Sequence, residues 1–174
     1  MKTLVLGIGN PILRDDGIGP RIAEETGRRW LGNGVDFQTT FQAGMVLVDM
    51  ITGYDNLIVI DAVQTGGEPG NLTWLSPDDF HLTDDYTTSE HKMGILQAIR
   101  LGESLGLPVP PRTSLLAVEA VDVTNFGEDL TPEVERAIPS AVKQIIARLF
   151  SITNQRPASP GSSAGPEDAG REHT

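Results

Sequence analysis

The most informative stretch of the sequence is residues 3–30, TLVLGIGNPILRDDGIGPRIAEETGRRW. Its mostly apolar run at residues 3–8 ends at Gly9-Asn10-Pro11, and such a run is typical of a parallel strand buried on both faces. From residue 16 to residue 30, apolar side chains recur at helical spacing with charged side chains between them. This stretch therefore predicts a central strand, a tight glycine turn and an amphipathic helix.

The alternation of strand and helix continues along the chain. Further strands are predicted at 35–41, 57–62, 71–75 and 112–119, further helices at 44–51, 92–105 and 132–150, and a long loop at 76–90. Gly53 is predicted to end the second helix, and Thr131 to be the N-cap of the last. The order predicts an α/β, three-layer fold, with a twisted, mainly parallel sheet flanked by helices on both faces.

Composition indicates one domain followed by a tail. The chain has 174 residues, 39% of them apolar, and contains no cysteine, which excludes a disulfide framework and a thiolate metal site. Residues 1–150 carry the periodic pattern and form the predicted domain. Residues 151–174 are rich in Pro, Gly and Ser and have almost no large apolar side chain, which predicts a disordered tail.

Charge and hydropathy exclude several classes of partner. Thirteen basic and 24 acidic residues give a net charge of −11, which repels a nucleic-acid backbone and an anionic lipid surface. The aliphatic runs are far shorter than the roughly 20 residues of a membrane span. The N-terminal apolar run also reaches Pro11 too early for a secretory signal. We therefore expect a cytoplasmic monomer that binds neither nucleic acid nor membrane.

Two neighbouring carboxylates, Asp15 and Asp16, stand between the first strand and the first helix. An Asp at a helix start accepts hydrogen bonds from backbone N–H groups, and a single residue is sufficient for this role. Neighbouring side chains point in different directions, so the second carboxylate is expected to face the crevice beyond the strand. In open parallel sheets, ligands bind in this crevice.

Asp61 and His91 extend the set of candidate residues. Asp61 follows the aliphatic residues 57–60, and a lone charge that ends a buried strand is costly unless it is paired or binds a cation. His91 directly precedes a predicted helix, from which its imidazole can face the same rim. A cap, turn or solvent-exposed role explains each residue taken alone. Together, Asp16, Asp61 and His91 suit a divalent transition metal or a hydrolytic site.

A nucleotide cofactor is a weaker interpretation of the first turn. Gly7-Ile8-Gly9 begins like a dinucleotide-binding fingerprint, but Ile12 stands at the third glycine position. Pro11 also removes an N–H group that would otherwise be available to a phosphate. We expect the two glycines to allow a tight turn instead.

Several motifs in order resemble those of the hydrogenase maturation proteases, the endopeptidases that trim the large subunit of nickel-iron hydrogenases. Residues 7–20, GIGNPILRDDGIGP, resemble the opening signature of the family. Residues 58–63, IVIDAV, resemble its second acidic motif, and residues 89–94, SEHKMG, resemble its Ser-x-His-x-x-Gly motif. Residues 130–134, LTPEV, resemble the start of its final helix. The resemblance spans about residues 3–149.

The resemblance implies a function and assigns residues to it. Asp16, Asp61 and His91 are implied to be both the catalytic residues and the nickel ligands, with nickel supplied by the substrate and no organic cofactor. The implied partner is a nickel-loaded hydrogenase large-subunit precursor, whose C-terminal extension is removed after nickel insertion. The activity is formally of the aspartic type. No role is assigned to Glu119, where the chain departs from the family pattern.

Two other functions remain open at this point. A metal-checking chaperone would hold the immature subunit without cutting it. Another hydrolase on a similar sheet, such as peptidyl-tRNA hydrolase, has a related Gly-x-x-Asn-Pro-like turn, but the acidic charge of this chain disfavours it.

Overall fold

The computed structural model describes residues 1–79 and 90–153, with the side chains of residues 90–93 excepted. Five strands form one sheet: β1 (Thr3–Ile8), β2 (Val35–Thr40), β3 (Asn56–Val63), β4 (Leu72–Leu75) and β5 (Arg112–Glu119). Their order across the sheet is β2-β1-β3-β5-β4. All neighbouring strands are parallel except β4, which is antiparallel to β5. The predicted, mainly parallel sheet is confirmed.

The helices form the two outer layers of the fold. They are α1 (Ile18–Arg29), α2 (Met45–Ile51), α3 (Glu90–Ser104), α4 (Pro132–Glu135) and α5 (Ile138–Thr153), with a 3-10 turn at Arg14–Gly17. Helices α1 and α5 contribute to one hydrophobic core, and α2 and α3 contribute to the other. The three-layer α/β architecture is therefore confirmed.

The alternation of side chains along β1 and β3 separates the two cores. On β1, Val5 packs toward α1 and α5, whereas Leu4 and Leu6 pack toward α2 and α3. Every residue of β1 and of β3 is buried, so both strands are covered on both faces. Full burial of each such aliphatic side chain contributes about 1.5–3 kcal/mol.

Helix α1 presents the face that its sequence predicts. Ile18, Ile22, Ala23 and Thr26 are buried, while the charged residues between them face solvent. The helix begins two residues later than predicted, because the 3-10 turn at Arg14–Gly17 comes first.

The predicted last helix is interrupted, and the prediction of one continuous helix at 132–150 is wrong. Helix α4 ends at Glu135, and α5 starts at Ile138 and continues to Thr153. Pro139 explains the break, because a proline ring clashes with the carbonyl group four residues earlier, which here belongs to Glu135. Within α5 the same proline lies in the first turn, where it is tolerated.

Two predictions lie wholly or partly outside the described residues. Of the predicted loop at 76–90, residues 80–89 lie outside the described residues, and Glu90 already belongs to α3, so the loop ends earlier than predicted. The predicted tail is described only to residue 153. The domain boundary at residue 150 therefore stays a prediction. Within the described part of the chain, no helix is both long and apolar enough to span a membrane.

Candidate active site

The carboxyl edge of the sheet contains a reversal in strand order between β1 and β3. From β1 the chain moves outward to β2, and it then returns to add β3 on the other side of β1. Loops that leave two neighbouring strands in opposite directions open a crevice between them, where α/β proteins bind ligands. Asp16 follows β1 and Asp61 lies on β3, so the structure places both predicted residues at this crevice.

Close glycine contacts hold the residue 10–17 segment against the sheet. A Cβ atom on Gly7 would lie 2.4 Å from the carbonyl oxygen of Gly19, and one on Gly19 would lie 2.5 Å from that of Ile60. At Gly9, which has a φ of +142°, a Cβ atom would lie 1.8 Å from the carbonyl oxygen of Asp16. The glycines therefore permit backbone contact between the strand ends and the start of α1, in addition to the turn itself.

Asp16 is oriented by a hydrogen bond within this segment. The backbone N–H of Asn10 donates to Asp16 Oδ2 at 2.6 Å, and Asp16 is half-buried. Asn10 Oδ1 in turn accepts a bond from the backbone N–H of Ile12 at 3.2 Å. The turn after β1 thus fixes the direction of the Asp16 carboxylate.

Asp61 lies inside β3, near its carboxyl end, and the strand extends one residue beyond the predicted range of 57–62. The strand continues for two residues beyond it, to Val63, and pairs Asp61 with Ala117 of β5. Only 1% of Asp61 is exposed. Because side chains alternate along a strand, Asp61 faces the same side as Val59 and Val63, which pack with α2 and α3.

His91 belongs to the first turn of α3, so its backbone lies in the helix that covers the Asp61 face of the sheet. Its side chain lies outside the described residues. Of the side chains that are described, no group of three or more His, Cys, Asp or Glu residues has the spacing of a metal site. The predicted set of Asp16, Asp61 and His91 therefore stays a prediction, with Asp16 in the 3-10 turn after β1 and Asp61 on the neighbouring strand β3.

Asp15 does not cap the following helix, and that part of the sequence interpretation is wrong. Its side chain is completely buried and accepts hydrogen bonds from the segment between β5 and α4. The backbone N–H groups of Val121 and Asp122 donate to Oδ2 at 3.0 Å, and that of Thr131 donates to Oδ1 at 2.7 Å. Thr131 occupies the predicted N-cap position of α4, but its hydroxyl bonds to Asp15 instead of capping the helix.

Glu119, to which the sequence assigned no role, holds the loop that follows β3. Glu119 is 6% exposed, and its carboxylate accepts bonds from the backbone N–H groups of Thr65, Gly66 and Gly67, at 2.7, 3.0 and 3.2 Å. Thr65 Oγ1 donates a further bond at 2.7 Å. The available sequence signal was a carboxylate that ends the aliphatic strand β5, as in the pattern around Asp61. The residues that donate these bonds stand 52 to 54 residues away.

Asp122 stabilises the loop between β5 and α4 from within. Hydrogen bonds from the side chain and backbone of Asn125 lower the pKa of the Asp122 carboxyl group, with smaller contributions from the Thr124 backbone and the Arg14 charge. The Arg14 guanidinium lies 3.4 Å from Asp122 Oδ2. This arrangement keeps Asp122 ionised and ties its loop to the segment that carries Asp16.

Comparison with known proteins identifies relatives over most of the chain. Residues 40–148 match the family model described as hydrogenase maturation protease. Hydrogenase 2 maturation protease of Escherichia coli K12 is 34% identical over 157 residues, covering 86% of this chain and 91% of the relative. Hydrogenase expression/formation protein HupD of Rhizobium leguminosarum bv. viciae is 30% identical over 167 residues, covering 95% of this chain and 82% of the relative.

The structure has a close counterpart as well. The hydrogenase maturating endopeptidase HybD from E. coli superposes with a TM-score of 0.75 and 29% sequence identity, covering 87% of this chain and 94% of the other. Sequence and fold agree on the resemblance that the motifs around Asp16, Asp61 and His91 predict. This protein belongs to the hydrogenase maturation protease family.

Proposed function

We propose that this protein is an endopeptidase that removes the C-terminal extension of a nickel-iron hydrogenase large subunit after nickel insertion. The observation that carries the proposal is the position of Asp16, in the 3-10 turn after β1, and of Asp61, on β3, beside the reversal of strand order between these two strands. Family membership supplies the reaction class. The nickel-loaded large-subunit precursor is the proposed partner, and the reaction is assigned to a cytoplasmic, monomeric protease.

The donor types suit a nickel ion that arrives as part of the substrate. Carboxylate oxygen and imidazole nitrogen both bind divalent transition metals, and Asp16, Asp61 and His91 supply these donors without a thiolate. Cysteine thiolates of this chain cannot compete for the metal, because the sequence has no cysteine. In this proposal the three side chains bind the nickel of the precursor and thereby test whether the metal has been inserted.

Cleavage consumes one water molecule and yields a new carboxyl terminus and a new amino terminus. Two routes activate that water: the substrate's nickel lowers its pKa, or one of the two carboxylates takes its proton as a general base. In both routes the hydrogen bond from the Asn10 backbone keeps Asp16 in one orientation. Neither route requires two carboxylates that share one proton, so the aspartic-type label implies no pepsin-like pair.

The test uses purified protein and the large-subunit precursor in nickel-loaded and nickel-free forms. We expect a mass decrease of the nickel-loaded precursor that equals the loss of its C-terminal extension, and no change in the nickel-free form. Asp16→Asn and His91→Ala are expected to abolish the mass change while retaining the circular dichroism of the parent protein. Glu24→Gln, which removes an exposed carboxylate from α1, is the matched control and should cleave normally.

The outcomes separate this proposal from its rival. Stable binding of the nickel-loaded precursor without any mass change would favour the metal-checking chaperone. Full cleavage by Asp16→Asn or His91→Ala would show that the site is wrongly assigned. Equal cleavage of nickel-free and nickel-loaded precursor would remove the metal-sensing role of these side chains.

A further inference from the structure

Phe126 is an apolar side chain that projects into solvent beside the candidate active site. It lies in the loop between β5 and α4, and 82% of it is exposed. Two other apolar residues of the same loop are inside: Leu130 is buried, and Val123 packs against the core formed with α1 and α5, whereas Val121 is 48% exposed. The loop therefore has access to the core but leaves its largest apolar side chain outside.

The backbone on both sides of Phe126 is fixed by hydrogen bonds. On one side, the N–H groups of Thr124 and Asn125 donate to Asp122 Oδ1 at 3.3 and 3.1 Å. On the other side, the N–H of Gly127 donates to the Ile12 carbonyl at 3.0 Å, and the Gly127 carbonyl accepts from Arg14 N–H at 2.8 Å. The exposure of Phe126 is thus imposed by the loop and is not a property of a loose segment.

These bonds also place Phe126 next to the segment that carries Asp16. Gly127 pairs with Leu13 in an isolated parallel bridge, and Ile12, which is 47% exposed, accepts the bond from Gly127. Asp16 follows Ile12 by four residues and is connected to it through Asn10. Phe126 and Ile12 therefore lie on the loops that border Asp16.

We propose that Phe126 and Ile12 form an apolar docking surface for the hydrogenase large-subunit precursor. This surface binds an apolar side chain of the precursor that lies beside the scissile bond. The inference rests on the proposed function and specifies how the substrate is positioned. Its basis is continuity, because the two loops that carry these residues are bonded to each other and border Asp16. A rigidly held aromatic side chain loses little conformational entropy on binding, which suits it to the role of an anchor.

The test compares cleavage by Phe126→Ser with cleavage by Leu31→Ser. Leu31 is 96% exposed and follows α1 at the opposite edge of the sheet, so it controls for the loss of an exposed apolar side chain. With the nickel-loaded precursor, we expect Phe126→Ser to raise KM about tenfold or more with little change in kcat. Phe126→Leu should restore most of the affinity, and Leu31→Ser should behave like the parent protein.

A binding measurement separates affinity from chemistry. With the nickel-free precursor, which is expected not to be cut, calorimetry should show that Phe126→Ser weakens the Kd by about the same factor as it raises KM. An unchanged KM and Kd for Phe126→Ser would overturn the docking surface even when the parent protein cleaves. Failure of the parent protein to cleave would instead contradict the proposed function. If the surface instead binds a second copy of this chain, Phe126→Ser should change the sedimentation coefficient and leave KM unaltered. That result would also overturn the inference.

Discussion

The two edges of the parallel strands bury polar groups of different kinds. At the carboxyl edge, the buried carboxylates of Asp15, Asp61 and Glu119 are 0%, 1% and 6% exposed. At the amino edge, buried Asn56 donates its amide N–H to the hydroxyl of buried Thr3 at 3.2 Å. Among the described residues, the buried side chains that carry a charge are thus concentrated at one edge.

The difference shows at which end of the strands this fold buries carboxylates despite the cost of removing them from water. Burial of a carboxylate costs far more than burial of a neutral amide or hydroxyl, and backbone N–H donors offset that cost only where loops converge on it. Asp15 and Glu119 each bind the backbone of a loop that lies distant in sequence. At the amino edge the buried pair of Asn56 and Thr3 is neutral, whereas at the carboxyl edge the carboxylates of Asp15 and Glu119 hold the loops around Asp16 and Asp61.

The largest expected effect comes from two separate substitutions, one that removes a buried carboxylate at the carboxyl edge and one that introduces a carboxylate at the amino edge. Asp61→Asn removes a carboxylate from the active site and should lower processing of the nickel-loaded precursor about 10²–10⁴-fold while the protein still unfolds cooperatively. Asn56→Asp introduces a buried charge at the amino edge and should lower the free energy of unfolding by about 2–4 kcal/mol without lowering kcat. Urea unfolding and the precursor cleavage assay measure the two properties. Normal processing by Asp61→Asn would break the distinction between the edges.

A second comparison concerns glycines of positive φ at the two edges. Gly9→Ala places a Cβ atom against the Asp16 carbonyl oxygen and should cost about 3 kcal/mol or more, from strain combined with backbone displacement. Gly53, at the end of α2, has a φ of +86° and no atom within 4 Å of a built Cβ atom, so Gly53→Ala should cost only about 1 kcal/mol. Thermal unfolding measures both values. Equal costs would show that contact with Asp16 is not what requires glycine.

A third prediction tests the role of Asp15 as an anchor of the loop. Asp15→Asn retains the shape of the side chain but replaces one carboxylate oxygen by an NH2 group. Both carboxylate oxygens accept a bond from a backbone N–H, so in either orientation the NH2 group faces another donor. We expect a loss of about 2–3 kcal/mol in the free energy of unfolding. Thr131→Val removes only the hydroxyl contact and should cost about 1 kcal/mol. A loss for Asp15→Asn no larger than that for Thr131→Val, in chemical denaturation, would contradict the anchoring role.

The smallest expected effect is a pH dependence of the loop that carries Phe126. The Asn125 hydrogen bonds lower the pKa of Asp122 in the folded protein, so the ionised carboxylate stabilises the fold above its unfolded pKa of about 3.9. That contribution is lost as the pH falls through the lower, folded pKa. The Tm of the parent protein should therefore exceed that of Asp122→Asn at pH 6, and the difference should shrink below about pH 3.9. A difference in Tm that does not change with pH would exclude this charge as its source.

Much of the fold follows from local patterns that the sequence displays directly. The apolar run at residues 3–8 requires a strand with both faces covered, and the helical spacing from Ile18 to Thr26 defines the buried face of α1. These signals are readable because the strand and helix periods involve residues close in sequence. The same logic places Asp16 and Asp61 near the carboxyl ends of parallel strands before any coordinates are known.

What only the tertiary structure decided is how the carboxylates differ from one another. Asp15 and Asp16 are adjacent and chemically identical, yet one is enclosed by the backbone of Val121, Asp122 and Thr131 while the other borders the crevice. The partners of Asp15 stand up to 116 residues away. Glu119 likewise acquires its role from a distant loop. A periodic pattern carries no information about contacts between segments this far apart in sequence, because folding alone sets their separation and register.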